Sequence, residues 1–250
     1  MSSNSSSIWR KVAMAVGLPA WVFFGFMLAQ ALILVVFGVI QAANVSLAGI
    51  NEIIFNSIVS VIIYAVAIAI VIGLPWLIKK RRTTATELGL QRGPNWLDLL
   101  WTPAGAVAYL ILTTLLTTIA MYTLTFIDYD QAQDTGFAGI STPLEYGLAF
   151  FILVIVAPFA EEVLFRGYLF GKLRKYAPLW VSILVTSLLF AIVHFQWNVG
   201  VDVFALSIVL CLLRVVSGSL WPSILLHTLK NGLAYYLLFI NPVVLSTLGG

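Results

Sequence analysis

Apolar runs, one after another with only short polar breaks between them, decide what this chain can fold into. Crossing a hydrocarbon core of about 30 Å takes a helix of about 20 mostly apolar residues, and runs of that kind cover 12–40, 53–78, 98–127, 144–165, 179–197, 201–216 and 220–240. They are too long for barrel staves and lack the alternation a stave requires. The spacing therefore predicts an all-α polytopic transmembrane helix bundle of about seven spans, with a kinked or surface turn at Pro19 opening the first. Only 9% of the 250 residues are charged and 61% are hydrophobic, against roughly 25% and 45–50% in soluble domains. A water-facing surface cannot be built from so few charges, and so apolar a chain is not disordered. The single Cys211 excludes a disulfide framework and reads as a buried small residue.

Positive charge in short loops sets orientation. Arg10 and Lys11 precede the first run, Lys79, Lys80, Arg81, Arg82 and Arg92 follow the second, and Lys172, Arg174 and Lys175 follow the fourth. The opposite loops carry Glu52, Asp128, Asp130, Asp134 and Glu145. The N-terminus is therefore expected inside and the C-terminus outside. The KKRR run reads as a topology anchor, not a nucleic-acid patch. Four parts follow: a polar tail over 1–11, expected to stay in the mature protein; helices and a linker over 12–143; a core over 144–240; and a tail over 241–250. Residues 83–97, with a Gly-Pro break and Trp96 and Trp101 nearby, are expected to lie on the headgroups.

Ionisable groups inside a span are costly and mark function. Here they are Glu161, Glu162, Arg166, His194, Arg214, His227 and Lys230, and they include both histidines of the chain. In APFAEEVLFRG, Glu162 and Arg166 are four apart and share a helical face, while Glu161 projects about 100° away. An ion pair at 162 and 166 leaves Glu161 free to act as a base. Phe190 and His194 share a face, as do His227 and Asn231. Arg214 is expected to snorkel from the end of its span, and Lys230 to pair with an acid such as Glu162 or to reach a substrate carboxylate.

One Glu, two His and an Asn on three helices form a minimal hydrolytic kit. A carboxylate and an imidazole can deprotonate water, while His and Asn donors can hold an oxyanion. The same chain could instead bind Zn through Glu161, His194 and His227 with one open position. Against zinc stands the lack of an acidic acceptor for the histidines other than Glu162, expected to be taken by Arg166. No cofactor is therefore the expectation. A rise of 1.5 Å per residue puts Glu161, His227 and Asn231 roughly 9–15 Å deep, but His194 roughly 22 Å deep if its span starts at 179. Part of 172–183 is therefore expected to lie along the interface, with the crossing starting later.

EEVLFR, FAIVH and HTLKN fit, in order and spacing, the EExxxR, FxxxH and HxxxN motifs of the CPBP family, the CAAX-protease and bacteriocin-processing intramembrane proteases. The resemblance covers roughly 144–235, including GSLWPSILLH, and extends to the LGL after the second run; residues 1–80 add nothing specific to it. It implies a four-helix catalytic core in which Glu161 and His194 activate water, His227 and Asn231 stabilise the oxyanion, and Glu162 and Arg166 support them. The family has been described both as glutamate-type and as metal-dependent. The resemblance also implies a membrane-associated peptide or protein substrate, and a multi-pass protein of a bacterial or archaeal cell membrane. Two other readings of the residues stay open: a non-catalytic scaffold or immunity protein, and a transporter relaying protons, although no inverted repeat supports the latter.

Overall fold

The computed structural model describes residues 2–44, 49–129, 131 and 133–244, with side chains from Ile8 onward. Asp130 and most of the 241–250 tail lie outside that set. Among the described residues there is no strand. We number the helices α1 Ser2–Ala42, α2 Glu52–Lys79, α3 Ala85–Leu88, α4 Trp96–Thr123, α5 Pro143–Leu173, α6 Leu179–Ile192, α7 Trp197–Ser217 and α8 Trp221–Tyr235, the last continued by a π-turn over Tyr236–Ile240. Five of them, α1 from Ile8 onward, α2, α4, α5 and α7, are long and apolar enough to cross a membrane. The chain is an all-α polytopic bundle. Pro19 neither breaks α1 nor opens it: the helix runs from Ser2 through it, so the polar tail expected over 1–11 is helical from Ser2.

Polar residues set the helix starts. Asn51 caps α2, while Asn95 with Asp98 and Thr142 with Glu145 form reciprocal capping boxes at α4 and α5, satisfying the first orphaned amides. Burial separates centre from periphery. Only 11% of the most apolar stretch of α1 and of α4, and 17% of that of α2, is buried, against 56% for α5 and 50% for α7. α5 and α7 are thus the central helices, and every residue from Val163 to Phe170 is buried. α7 packs on α4, α6 and α8. α1 and α2 run antiparallel over α5, Leu18, Val22, Val71, Leu164, Phe165 and Phe190 sharing one cluster.

Two expectations about the basic end are corrected. The segment after α2, expected as a surface linker, packs against the ends of α5 and α8. Thr84 and Glu87 cap α3, Leu88 and Leu90 pack with Val163, Leu220 and Ile224, and the Gly89 carbonyl accepts from the Leu220 amide at 2.9 Å. Glu87 lies 3.3 Å from Lys175. Burial opposes its charge, but Lys172, the Thr84 amide and Lys175 together hold its carboxyl below the usual range. Arg214 does not snorkel outward: it is 7% exposed and lies beneath Gly89, where a Cβ would stand 2.5 Å from its guanidinium carbon. Gly89 has φ +86°, where a side chain is strained as well. Gly89→Ala should therefore cost about 1–2 kcal/mol and lower the thermal midpoint in detergent by about 3–6 °C. Gly93→Ala, with open space at its Cβ, is the control, and equal midpoints for the two variants would show that Gly89 is not packed this way.

The third correction concerns α6. It begins at Leu179, so 179–183 belong to the helix proper, and it stops after 14 residues, at Ile192. His194 lies in the following turn, with Phe195 at φ 53°, a region that bulky residues enter only at a cost.

Candidate active site

Glu161 and Glu162 occupy a short α-helical stretch, Ala157–Glu162, held between two π-helical ones, Phe151–Val156 and Val163–Phe170. Such wide turns recur at functional sites because they free backbone carbonyls and re-aim side chains. Glu162 is fully buried. Its Oε1 accepts from Arg166 Nη1 at 2.7 Å, as the spacing predicts, and also from His227 Nδ1 at 2.9 Å. The other face of the same imidazole looks at Glu161, with Nε2 3.7 Å from Glu161 Oε2. One histidine therefore joins both motif carboxylates.

Phe190 is the hub of the site. The Arg166 guanidinium lies 4.2 Å from its ring centroid, and Phe165 and His194 meet the ring edge-on at 5.0 and 4.9 Å. His227 meets it at 5.8 Å. Glu162 Oε2 and Arg166 Nε and Nη2 are buried without hydrogen-bond partners, so the ring's negative face offsets part of what the guanidinium lacks. His194 Nδ1 donates to the Phe190 carbonyl at 2.7 Å. Each histidine thus has Nδ1 committed and Nε2 presented, the orientation a ligand or a proton-transfer group needs.

Asn231 stands one turn beyond His227 on α8. Its amide donates to the Leu153 carbonyl at 2.9 Å, in the first π-helical stretch, and it borders a cavity of about 50 Å³ with Lys230, Gln133, Thr135 and Tyr235. Lys230 does not pair with Glu162. Its Nζ lies 3.3 Å from Asp202 Oδ2, while Asp202 Oδ1 accepts from Tyr109 at 2.5 Å and Thr113 at 2.7 Å. Asp202 was missed because it falls at the very edge of an apolar run, where a charge reads as a boundary.

Tyr64 was also missed. Its hydroxyl donates to Glu161 Oε1 at 2.5 Å, from a helix in which sequence reasoning found no site residue. A signal existed: Asn56, Ser60 and Tyr64 recur every four residues, a polar stripe on a mostly apolar helix. Cys211 is buried, beside Phe170 and Ile183, as expected.

A zinc ion would need three donor atoms within about 2.0–2.2 Å of one point. Glu161 Oε2 and His227 Nε2 are spaced as two such donors would be, and Glu162 backs His227, which removes the objection raised from sequence. Yet no group of three or more His, Cys, Asp and Glu side chains among the described residues is arranged to hold a metal ion. The full donor set does not fit, and no step is derived through zinc.

Comparison with known proteins agrees with the motif reading. Residues 143–233 match the model of the Rce1-like family, type II CAAX prenyl endopeptidases. The UPF0177 protein YxdF of Lactococcus lactis is 34% identical over 106 residues, 41% of this chain and 58% of the relative. An uncharacterized 24.3 kDa protein of Escherichia coli is 34% identical over 85 residues, 32% of this chain and 39% of the relative. The membrane-embedded CAAX protease MroQ of Staphylococcus aureus is 28% identical over 102 residues, 38% of this chain and 41% of the relative. The chain thus spans about two-fifths to three-fifths of the length of these curated relatives. No solved structure matches it.

Proposed function

We propose that the chain, whose residues 143–233 form an Rce1-like core, is an intramembrane endopeptidase hydrolysing a peptide bond in a membrane-associated peptide or protein. The observation that carries this reading is the single imidazole of His227, set between Glu161 and Glu162 and sharing the Phe190 ring with His194. Both ring nitrogens of His227 face carboxylate oxygens, Nδ1 that of Glu162 and Nε2 that of Glu161. In this reading Glu161 Oε2, assisted by His194, takes a proton from water as the water oxygen attacks the scissile carbonyl. The His227 Nε2–H and the second amide hydrogen of Asn231 hold the oxyanion. The proton on Glu161 then passes to the leaving amine as the C–N bond breaks, completing hydrolysis without a metal. The basic end of the bundle faces the cytoplasm by the positive-inside tendency.

The test reconstitutes the chain in vesicles with a pool of membrane-anchored peptides, prenylated and not. The wild type is expected to cleave at least one, and His194→Ala to do so about 100-fold more slowly or worse. Activity is expected to survive prolonged chelation. Equal cleavage by the two proteins overturns the assignment of His194, and a wild type inert toward every anchored peptide overturns the protease reading. Loss on chelation that returns with stoichiometric Zn²⁺ overturns the metal-free step while leaving the protease standing.

A further inference from the structure

We infer that Tyr64 is a positioning residue for Glu161, so that α2, outside the 143–233 core, supplies part of the site. The inference rests on the reading of Glu161 as the base. Glu161 divides its two oxygens: Oε1 accepts the Tyr64 hydroxyl at 2.5 Å, and Oε2 is turned toward His227 Nε2. A glutamate side chain has three rotatable bonds, and one that swung away would lose both water and imidazole. Pinning one oxygen from a second helix fixes the other.

The contact is built and not incidental. Tyr64 is half-buried, on a helix whose approach to α5 is set elsewhere along its length. At its start, Asn51 donates to Glu145, the capping carboxylate of α5, at 2.6 Å. At its far end, Val71 packs with Leu164 and Phe165, and the Val71 carbonyl accepts from Trp21 of α1 at 3.0 Å. Tyr64 lies between these two anchors.

Other charged and titratable groups stand around Glu161: Glu162 and Arg166 on its own helix, His227 on α8 and His194 in the turn after α6, with Lys230 bearing on His194 and paired to Asp202 of α7. Among the described residues, the Tyr64 hydroxyl is the donor that reaches Oε1.

The test is Tyr64→Phe, which keeps the ring and removes only the hydroxyl. In the vesicle assay kcat should fall about tenfold, with KM within about twofold. In a Glu161→Gln background the same substitution should change the residual rate by less than about twofold, because residues that act as one unit are not additive. Tyr122→Phe, on a ring 83% exposed, is the control. A purely structural tyrosine would cost the same factor in both backgrounds. Unchanged kcat, or equal losses in the two backgrounds, overturns the inference. A readout independent of cleavage separates this failure from failure of the protease reading: melting in detergent of Tyr64→Phe, Glu161→Ala and the double variant. Midpoint shifts that do not add support the positioning contact even if no substrate is cut, and additive shifts overturn it.

Discussion

Arg166→Ala is expected to lower the thermal midpoint by about 10 °C or more and to abolish cleavage. Both partners of its ion pair are fully buried. Alanine leaves Glu162 as an uncompensated charge, a change that costs about 3–5 kcal/mol, and removes the guanidinium from the Phe190 ring. At roughly 2–4 °C per kcal/mol for a chain of this size, the shift is large. Activity falls with stability because the oxygen that receives Arg166 also holds His227. The Glu162→Ala/Arg166→Ala double variant removes the orphaned charge and should regain part of the midpoint, though not the activity, since His227 loses its anchor. Melting curves in detergent for the two variants beside Arg81→Ala, in the loop at the basic end, decide the matter. A midpoint within about 2 °C of wild type for Arg166→Ala would show that the pair contributes little.

Glu161→Gln should leave the fold intact and reduce kcat by about a thousandfold or more. The amide is isosteric, and its oxygen can still accept from Tyr64, but it cannot take a proton from water; a positioned base is worth about 10²–10⁴ in rate. The midpoint should hold or rise, because a charge shielded from water is removed. The neighbouring Glu162→Gln should behave in the opposite way, losing stability by weakening the partner of Arg166. Loss of rate at unchanged stability for one glutamate, and loss of both for the other, is a signature that general damage to the helix could not mimic. Cleavage by Glu161→Gln within tenfold of wild type would exclude Glu161 as the base.

What the sequence by itself determined about this protein is whatever depends on distance along the chain. Run length and scarcity of charge settled the helices and their solvent. A spacing of four placed Arg166 beside Glu162, because residues four apart share a helical face wherever the helix is packed. The tertiary structure decided which faces meet. It brought His227 to both carboxylates, tied Asn231 to Leu153, gave Lys230 to Asp202, tucked Arg214 beneath Gly89 and delivered Tyr64 to Glu161. It also ended α6 before His194, so that the histidine lies in a turn that its apolar surroundings hide from a periodicity argument. The physical reason is common to all of these. Lipid tails are as apolar as a protein core, so in a membrane helix the side that faces lipid and the side that packs on protein carry the same hydropathy, and the pattern that orients a soluble helix toward its neighbours is missing.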